Sequence, residues 1–103
     1  MYVFNADGTL QQANPDAGDA KTSDSDGKGV WISEGDRVRG KWVEITADRA
    51  THRFVGRNEF TFELRVDGDI FAGTETARFY GTGDRQIGGP LGSTLRGTRV
   101  TAH

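Results

Sequence analysis

The fold is decided by residues 56–79, which read GRNEFTFELRVDGDIFAGTETARF. Apolar and polar side chains alternate on both sides of Asp67-Gly68, and this pattern predicts a β-hairpin with a two-residue turn. A two-residue turn sets the register of the two strands it joins, and here it pairs Phe60 with Glu75. One face then carries the aromatic and aliphatic residues while the other is charged or threonine-rich, as in a sheet with one dry side.

A second hairpin is predicted at Ser33-Glu34-Gly35-Asp36, with Glu34 and Gly35 as the turn residues. Its register places Trp31 opposite Val38 and Gly29 opposite Gly40. Glycines that face each other beside tryptophans predict a bend in the sheet, with aromatic rings lying over bare backbone.

The remaining segments complete the predicted strands. Asp7-Gly8 predicts a short hairpin, and a bulge at Gly8 sets Phe4 opposite Leu10, which favours burial of both. Residues 14–27 are polar and rich in turn formers, so they predict a long loop that could serve as a lid or a binding loop. A last strand is predicted over residues 91–101.

These segments predict one all-β domain over residues 1–103. About seven strands follow one another as an antiparallel up-and-down meander, and curling into a small seven- or eight-stranded barrel would reduce their exposed edges. An odd number of alternating strands makes the first and last strands parallel. The predicted barrel therefore has a seam that is open, bridged by a partner, or closed by one further strand.

Composition narrows the function classes. The net charge of −2 gives no electrostatic footprint for nucleic acid or acidic membranes. The chain has no cysteine, and neither His52 nor His103 has a partner at metal-ligand spacing, so we predict no metal site and no cofactor. No apolar run approaches the roughly 20 residues of a membrane span, and strand-like sequence begins at Tyr2. We expect a cytoplasmic protein, with a secreted mature fragment as the alternative.

The chain also resembles a known group of proteins. The segments FNADGT, NPDAGDAKTSDSDGKGVW, VEITADRAT, DGDIFAGT and LRGTRV, which span nearly the whole chain, are similar to a group of small, mostly uncharacterised bacterial barrel domains. Their layout resembles the calycin superfamily, the lipocalin-like barrels that hold small apolar ligands, and more distantly the allene-oxide-cyclase-like barrels. Gly29-Val30-Trp31 is loosely like the lipocalin Gly-x-Trp signature, although it falls in the third strand here and in the first strand of lipocalins. The resemblance implies a lipocalin-like fold.

Three polar residues, Glu44, Asn58 and Glu75, fall on the predicted apolar face. If Glu44 pairs with Gly56, Trp42 faces Asn58, and the diagonal neighbours lie about 7–8 Å apart, within reach of a shared ligand. Burial among aromatic rings tends to raise carboxyl pKa values, and a carboxyl so tuned can act as a general acid or base. The structural alternative is an ion pair of an inward glutamate with Arg96 or Arg99.

Three functions follow as hypotheses. The leading one is a module that binds a small hydrophobic or amphipathic molecule at one end of the barrel, through Trp31, Trp42, Asn58, Phe60 and Phe79. The second is a cofactor-free isomerase, cyclase or hydrolase with Glu44 and Glu75 as the acid and base. The third is an interaction domain, for example a homodimer, that pairs through an open sheet edge.

Overall fold

The described strands all belong to one antiparallel sheet. The computed structural model describes residues 1–13 and 18–100, and within these ranges it has no α-helix, only a short 3-10 turn at Thr82–Asp84. The eight strands are β1 (Tyr2–Phe4), β2 (Thr9–Gln12), β3 (Thr22–Asp24), β4 (Gly27–Glu34), β5 (Arg37–Asp48), β6 (Phe54–Asp67), β7 (Ile70–Gly81) and β8 (Gln86–Thr98). The predicted all-β antiparallel class is confirmed.

Seven strands form a continuous path, β1-β2-β4-β5-β6-β7-β8, and β3 pairs with β5. Strands β3 and β4 lie along β5 in the same direction and act as one bent strand. Asp24 pairs with Thr46 and Lys28 pairs with Val43, so four steps on one strand match three on the other. That extra residue is a β-bulge, and the Ser25 hydroxyl bridges it by accepting a β5 amide.

The predicted loop over residues 14–27 is therefore partly strand. Residues 14–17 lie outside the described residues, but Thr22–Asp24 forms β3. The polar side chains predicted a loop here, yet the Thr46 hydroxyl donates to Asp24 at 2.6 Å and helps to hold the strand against β5. The last strand also differs from the prediction, because it already begins at Gln86.

The registers of the long hairpins differ from the predicted ones by two residues. Trp31 pairs with Gly40 instead of Val38, and Phe60 pairs with Ala77 instead of Glu75. The cause is the turn type. Gly35 and Gly68 have φ of 60° and 61° and stand first in their two-residue turns, each followed by an aspartate without positive φ, as in a type II′ turn. A shift of two keeps every side chain on its predicted face.

The first hairpin agrees with its prediction, because Phe4 pairs with Leu10 through a turn in which Gly8 has a φ of 87°. The same two-residue shift recurs between β5 and β6. Glu44 pairs with Asn58 there, not with Gly56 as predicted.

The buried core lies where the sheet rolls β1 over β6. Four strand spacings separate β1 from β6 along the sheet, which is about 19 Å in a flat sheet. The rings of Tyr2 and Phe4 nevertheless lie 5.9 and 6.1 Å from the Phe62 ring, centroid to centroid. The sheet is therefore strongly curled. The buried apolar side chains are Leu10, Trp42, Phe62, Leu64 and Ala77.

Close approach at glycines allows this curl. Aromatic rings cover glycines in three places, Trp42 over Gly27, Phe62 over Gly40 and Phe71 over Gly97, where any Cβ would collide with the ring. Rings over bare backbone are thus confirmed. The predicted pairing of Gly29 with Gly40 is wrong, because the two-residue shift places Gly29 opposite Trp42.

The sheet is open between β1 and β8. Within the described part of the chain, β1 pairs with β2 and β8 pairs with β7, and no ladder joins the two terminal strands of the path. Six antiparallel steps separate β1 from β8, so the two strands point in the same direction along the sheet. The open edge defines one side of the molecule, which we call the seam.

Candidate functional site

Two of the three predicted polar residues meet directly. Glu44 on β5 is 5% exposed and stands opposite Asn58 on β6. The Asn58 amide donates to the Glu44 carboxylate at 2.9 Å and lies 3.5 Å from the Thr46 hydroxyl, which itself donates to Asp24. A polar chain therefore runs along the inner face from Glu44 to β3.

The third residue, Glu75, is held by the first strand. The Tyr2 hydroxyl donates to a Glu75 carboxylate oxygen at 2.6 Å and accepts from the indole N–H of Trp42 at 3.2 Å. Burial raises the pKa of Tyr2 well above its ordinary value, and the hydrogen bond and charge of Glu75 raise it further. The negative charge of Glu44 acts in the same direction, so both glutamates lie near this hydroxyl.

The inward glutamates thus bond to neutral groups. Arg96 pairs across the sheet with Ala72 on the outer face, and Arg99 lies 3.7 Å from Asp69. The predicted ion pair of an inward glutamate with Arg96 or Arg99 is therefore wrong. The sequence left it ambiguous which side chains of β8 point inward. The register of β8 with β7 shows which ones do.

The predicted aromatic residues do not form a single cluster on the inner face. Trp42 and Phe60 stack with centroids 3.9 Å apart and planes 11° apart. The Trp31 indole N–H is within 2.9 Å of the carbonyls of Asn5 and Thr9, so it fastens β4 to the first hairpin. Phe79 pairs with Gly88 at the far end of the sheet.

The seam contains a groove of about 890 Å³. Its floor consists of apolar side chains of the inner face and its walls are the two terminal strands. Of the five predicted ligand-binding residues, Trp31 lines this groove. The groove is also lined by Tyr2, Phe4, Phe71, Leu95, Arg96 and Arg99.

Sequence reasoning missed Tyr2, Leu95 and Arg96 as site residues. Alternation in the first hairpin already placed Tyr2 on the same face as Phe4, so a signal for Tyr2 existed. The wall formed by β8 had no such signal, because Leu91 to Val100 alternates poorly between apolar and polar residues. Its inner face became clear from the pairing of Leu95 with Gly73.

Across residues 1–13 and 18–100, no group of three or more His, Asp or Glu side chains is placed to hold a metal ion. The same residues include no helix with the length and apolar character needed to cross a bilayer. No protein-family model, curated protein or solved structure matches this chain significantly. The site is therefore interpreted from its own geometry.

Proposed function

We propose that the protein is a binding module that takes an apolar or partly polar ligand in the seam groove. The observation that carries this proposal is the groove itself, about 890 Å³ in volume and lined mainly by apolar groups. Ligand pockets are typically about 300–1,000 Å³, mostly apolar, with a few polar groups that orient the ligand. Asp69 and Arg99, which also line the groove, supply such groups here.

This site differs from the predicted one at the Asn58 end of the sheet. The Asn58 amide is engaged by Glu44, and neither residue lines the groove. A lipocalin-like barrel is part of the same proposal, because a ligand that spans the seam would complete the wall between β1 and β8. The use of Glu44 and Glu75 as acid and base stays a prediction.

Titration with the amphipathic dye 1-anilinonaphthalene-8-sulfonate tests the proposal. Leu95 and Leu91 are both on the inner face of β8, but Leu95 lines the groove and Leu91 does not. Leu95→Glu places a negative charge among apolar groups and close to the dye's sulfonate, and we expect it to weaken dye binding at least tenfold. Leu91, which is 60% exposed, gives the matched control Leu91→Glu, with binding within about twofold of the wild type.

Trp31 supplies a second readout because it lines the groove, whereas Trp42 is 4% exposed and does not. Dye binding should quench the Trp31 emission and leave the Trp31→Phe variant nearly unresponsive. Circular dichroism and thermal unfolding confirm that each variant is folded. Equal weakening by Leu95→Glu and Leu91→Glu would show that the dye binds elsewhere and would refute the proposal.

A further inference from the structure

We infer that the natural occupant of the seam groove is an extended polypeptide strand of another protein, which adds between β1 and β8 and closes the sheet into an eight-stranded barrel. This inference rests on the proposed function and names its ligand class. The strand would alternate apolar residues on its inner face with polar, partly acidic residues on its outer face. Three features of the seam support it.

The first feature is the hydrogen-bonding capacity of the β1 edge. The Asn5 amide donates to the Thr9 carbonyl at 2.9 Å, so Asn5 belongs to a hydrogen-bonded pair of the β1–β2 ladder. Bonded and non-bonded pairs alternate in an antiparallel ladder. The amides and carbonyls of Tyr2 and Phe4 consequently point away from β2 and into the seam.

The β8 edge has the same property. The Arg99 amide donates to the Asp69 carbonyl at 2.7 Å, which fixes the alternation along the β7–β8 ladder. The amides and carbonyls of Arg96 and Thr98 therefore point away from β7, again into the seam. A row of backbone donors and acceptors on each wall is what another backbone satisfies, and an apolar small molecule leaves both rows unpaired.

The second feature is strand direction. Because β1 and β8 run in the same direction, one added strand can be antiparallel to both at once. The groove-lining part of β8 and its extension, residues 95–100, is about 20 Å long at roughly 3.3 Å per residue. A segment of about six residues therefore fits, with its inward side chains directed towards Trp31, Phe71 and Leu95.

The third feature is charge. Arg96 and Arg99 both line the groove, and Asp69, which also lines it, pairs with Arg99 at 3.7 Å. Within the described part of the chain, Arg96 has no carboxylate at ion-pair distance. Its side chain lies on the outer face of β8, where an acid on the neighbouring added strand would be a favourable cross-strand partner. An outer face with acidic residues thus complements this wall.

A capped ten-residue peptide of alternating valine and threonine, with two threonines replaced by glutamate, is the probe. Binding is measured by isothermal titration with the whole chain, against the same peptide methylated at alternate backbone nitrogens. Methylation keeps the side chains of the peptide but removes the N–H donors that face one of the two seam strands. We expect it to weaken binding more than tenfold. Equal binding of both peptides would overturn the inference.

Proline substitutions test the β8 edge. Arg96→Pro removes one seam-facing amide, and we expect binding about 2- to 12-fold weaker. Gly92→Pro removes an amide that also points away from β7 but lies beyond the groove. This variant should bind the peptide within twofold of the wild type. Arg96→Ala keeps the amide and removes the charge, so its effect should disappear at high salt. Equal effects of the two prolines would contradict strand addition.

Amide hydrogen exchange separates the outcomes. Peptide binding should slow exchange at Tyr2, Phe4, Arg96 and Thr98, whose amides face the seam. If the dye binds and Leu95→Glu abolishes its binding, but the peptide protects none of these amides, the binding proposal stands and the strand inference fails. Light scattering tests for a second copy of this chain as the occupant. A dimer that Arg96→Pro dissociates, and that the peptide does not displace, would identify the occupant as a second copy and would also overturn the inference.

Discussion

The hydroxyl of Tyr2 joins the first strand to the opposite wall of the sheet, and Tyr2→Phe removes that hydroxyl alone. The substitution deletes the hydrogen bond to Glu75 at 2.6 Å and the acceptor of the Trp42 indole at 3.2 Å. The aromatic contacts of the ring, including the one with Phe62 at 5.9 Å, remain in the variant. The change in stability therefore reports the two hydrogen bonds.

Their combined contribution can be stated from typical values. A hydrogen bond to a charged group contributes about 1.5–3 kcal/mol and a neutral one about 0.5–1.5 kcal/mol. Trp42 is 4% exposed, so its indole N–H would lose its acceptor without gaining full access to water. We expect Tyr2→Phe to lower the free energy of unfolding at pH 7 by about 2–4 kcal/mol.

Urea unfolding followed by tryptophan fluorescence measures this difference. For a chain of this length the slope in urea is roughly 2 kcal/mol per molar, so the midpoint should fall by about 1–2 M. The control is Tyr80→Phe, because the Tyr80 ring lies under the Arg57 guanidinium, 4.3 Å from its centroid, outside the core. A loss below about 0.5 kcal/mol for Tyr2→Phe, or equal losses for the two variants, would refute the reasoning.

The same variant predicts a pH dependence with a definite sign. Burial and the Glu75 contact raise the pKa of Tyr2, so its proton is held more tightly in the folded state. That stabilisation is fully present below the unfolded-state pKa near 10 and is lost as the pH rises above it, by at most about 1.4 kcal/mol per pH unit. The stability gap between wild type and Tyr2→Phe should therefore narrow from pH 9 to pH 11, and a constant gap would contradict the assignment.

Two further stability predictions come with matched controls. A Cβ on Gly73 would collide with the Glu63 carbonyl and lie 2.8 Å from the Leu64 Cα, so Gly73→Ala should cost about 1–3 kcal/mol despite the loss of unfolded-state entropy. Gly92→Ala meets open space and should be neutral or slightly stabilising in the same urea assay. Leu64 is 2% exposed, so Leu64→Ala should cost about 2–5 kcal/mol, whereas the exposed Leu91→Ala should shift the thermal midpoint by less than a few degrees. Equal shifts within either pair would contradict the burial pattern described above.

Strict alternation made the faces of the sheet predictable while the exact partners were not. Side-chain direction depends on the parity of a position, and parity survives a shift of two residues. The shift itself arose because Asp-Gly and Gly-Asp are both good turn pairs, and Asp67-Gly68-Asp69 contains both. Local sequence therefore determined that Glu44 and Asn58 share a face, but not that they stand opposite each other.

The groove was less predictable because it depends on curvature. Which strand reaches over the inner face follows from how tightly the sheet rolls, and the roll results from many small twists and from close approaches at glycines. Tyr2 meets Glu75, 73 positions away, for that reason. Periodicity along the chain identifies the inner residues but has no information on which of them meet across the interior.

The three glycines covered by aromatic rings limit the order in which substitutions can accumulate at these positions during evolution. At Gly97, an added methyl group would collide with the Phe71 ring, while a smaller residue in place of Phe71 would lose packing contact with the core. Each single change is costly, but the pair Gly97→Ala with Phe71→Leu exchanges volume between neighbouring strands and should cost less than the sum of its parts. We expect each glycine to co-vary with the aromatic residue that covers it. The aromatic residue should be replaced by a smaller one before the glycine is replaced by a larger one.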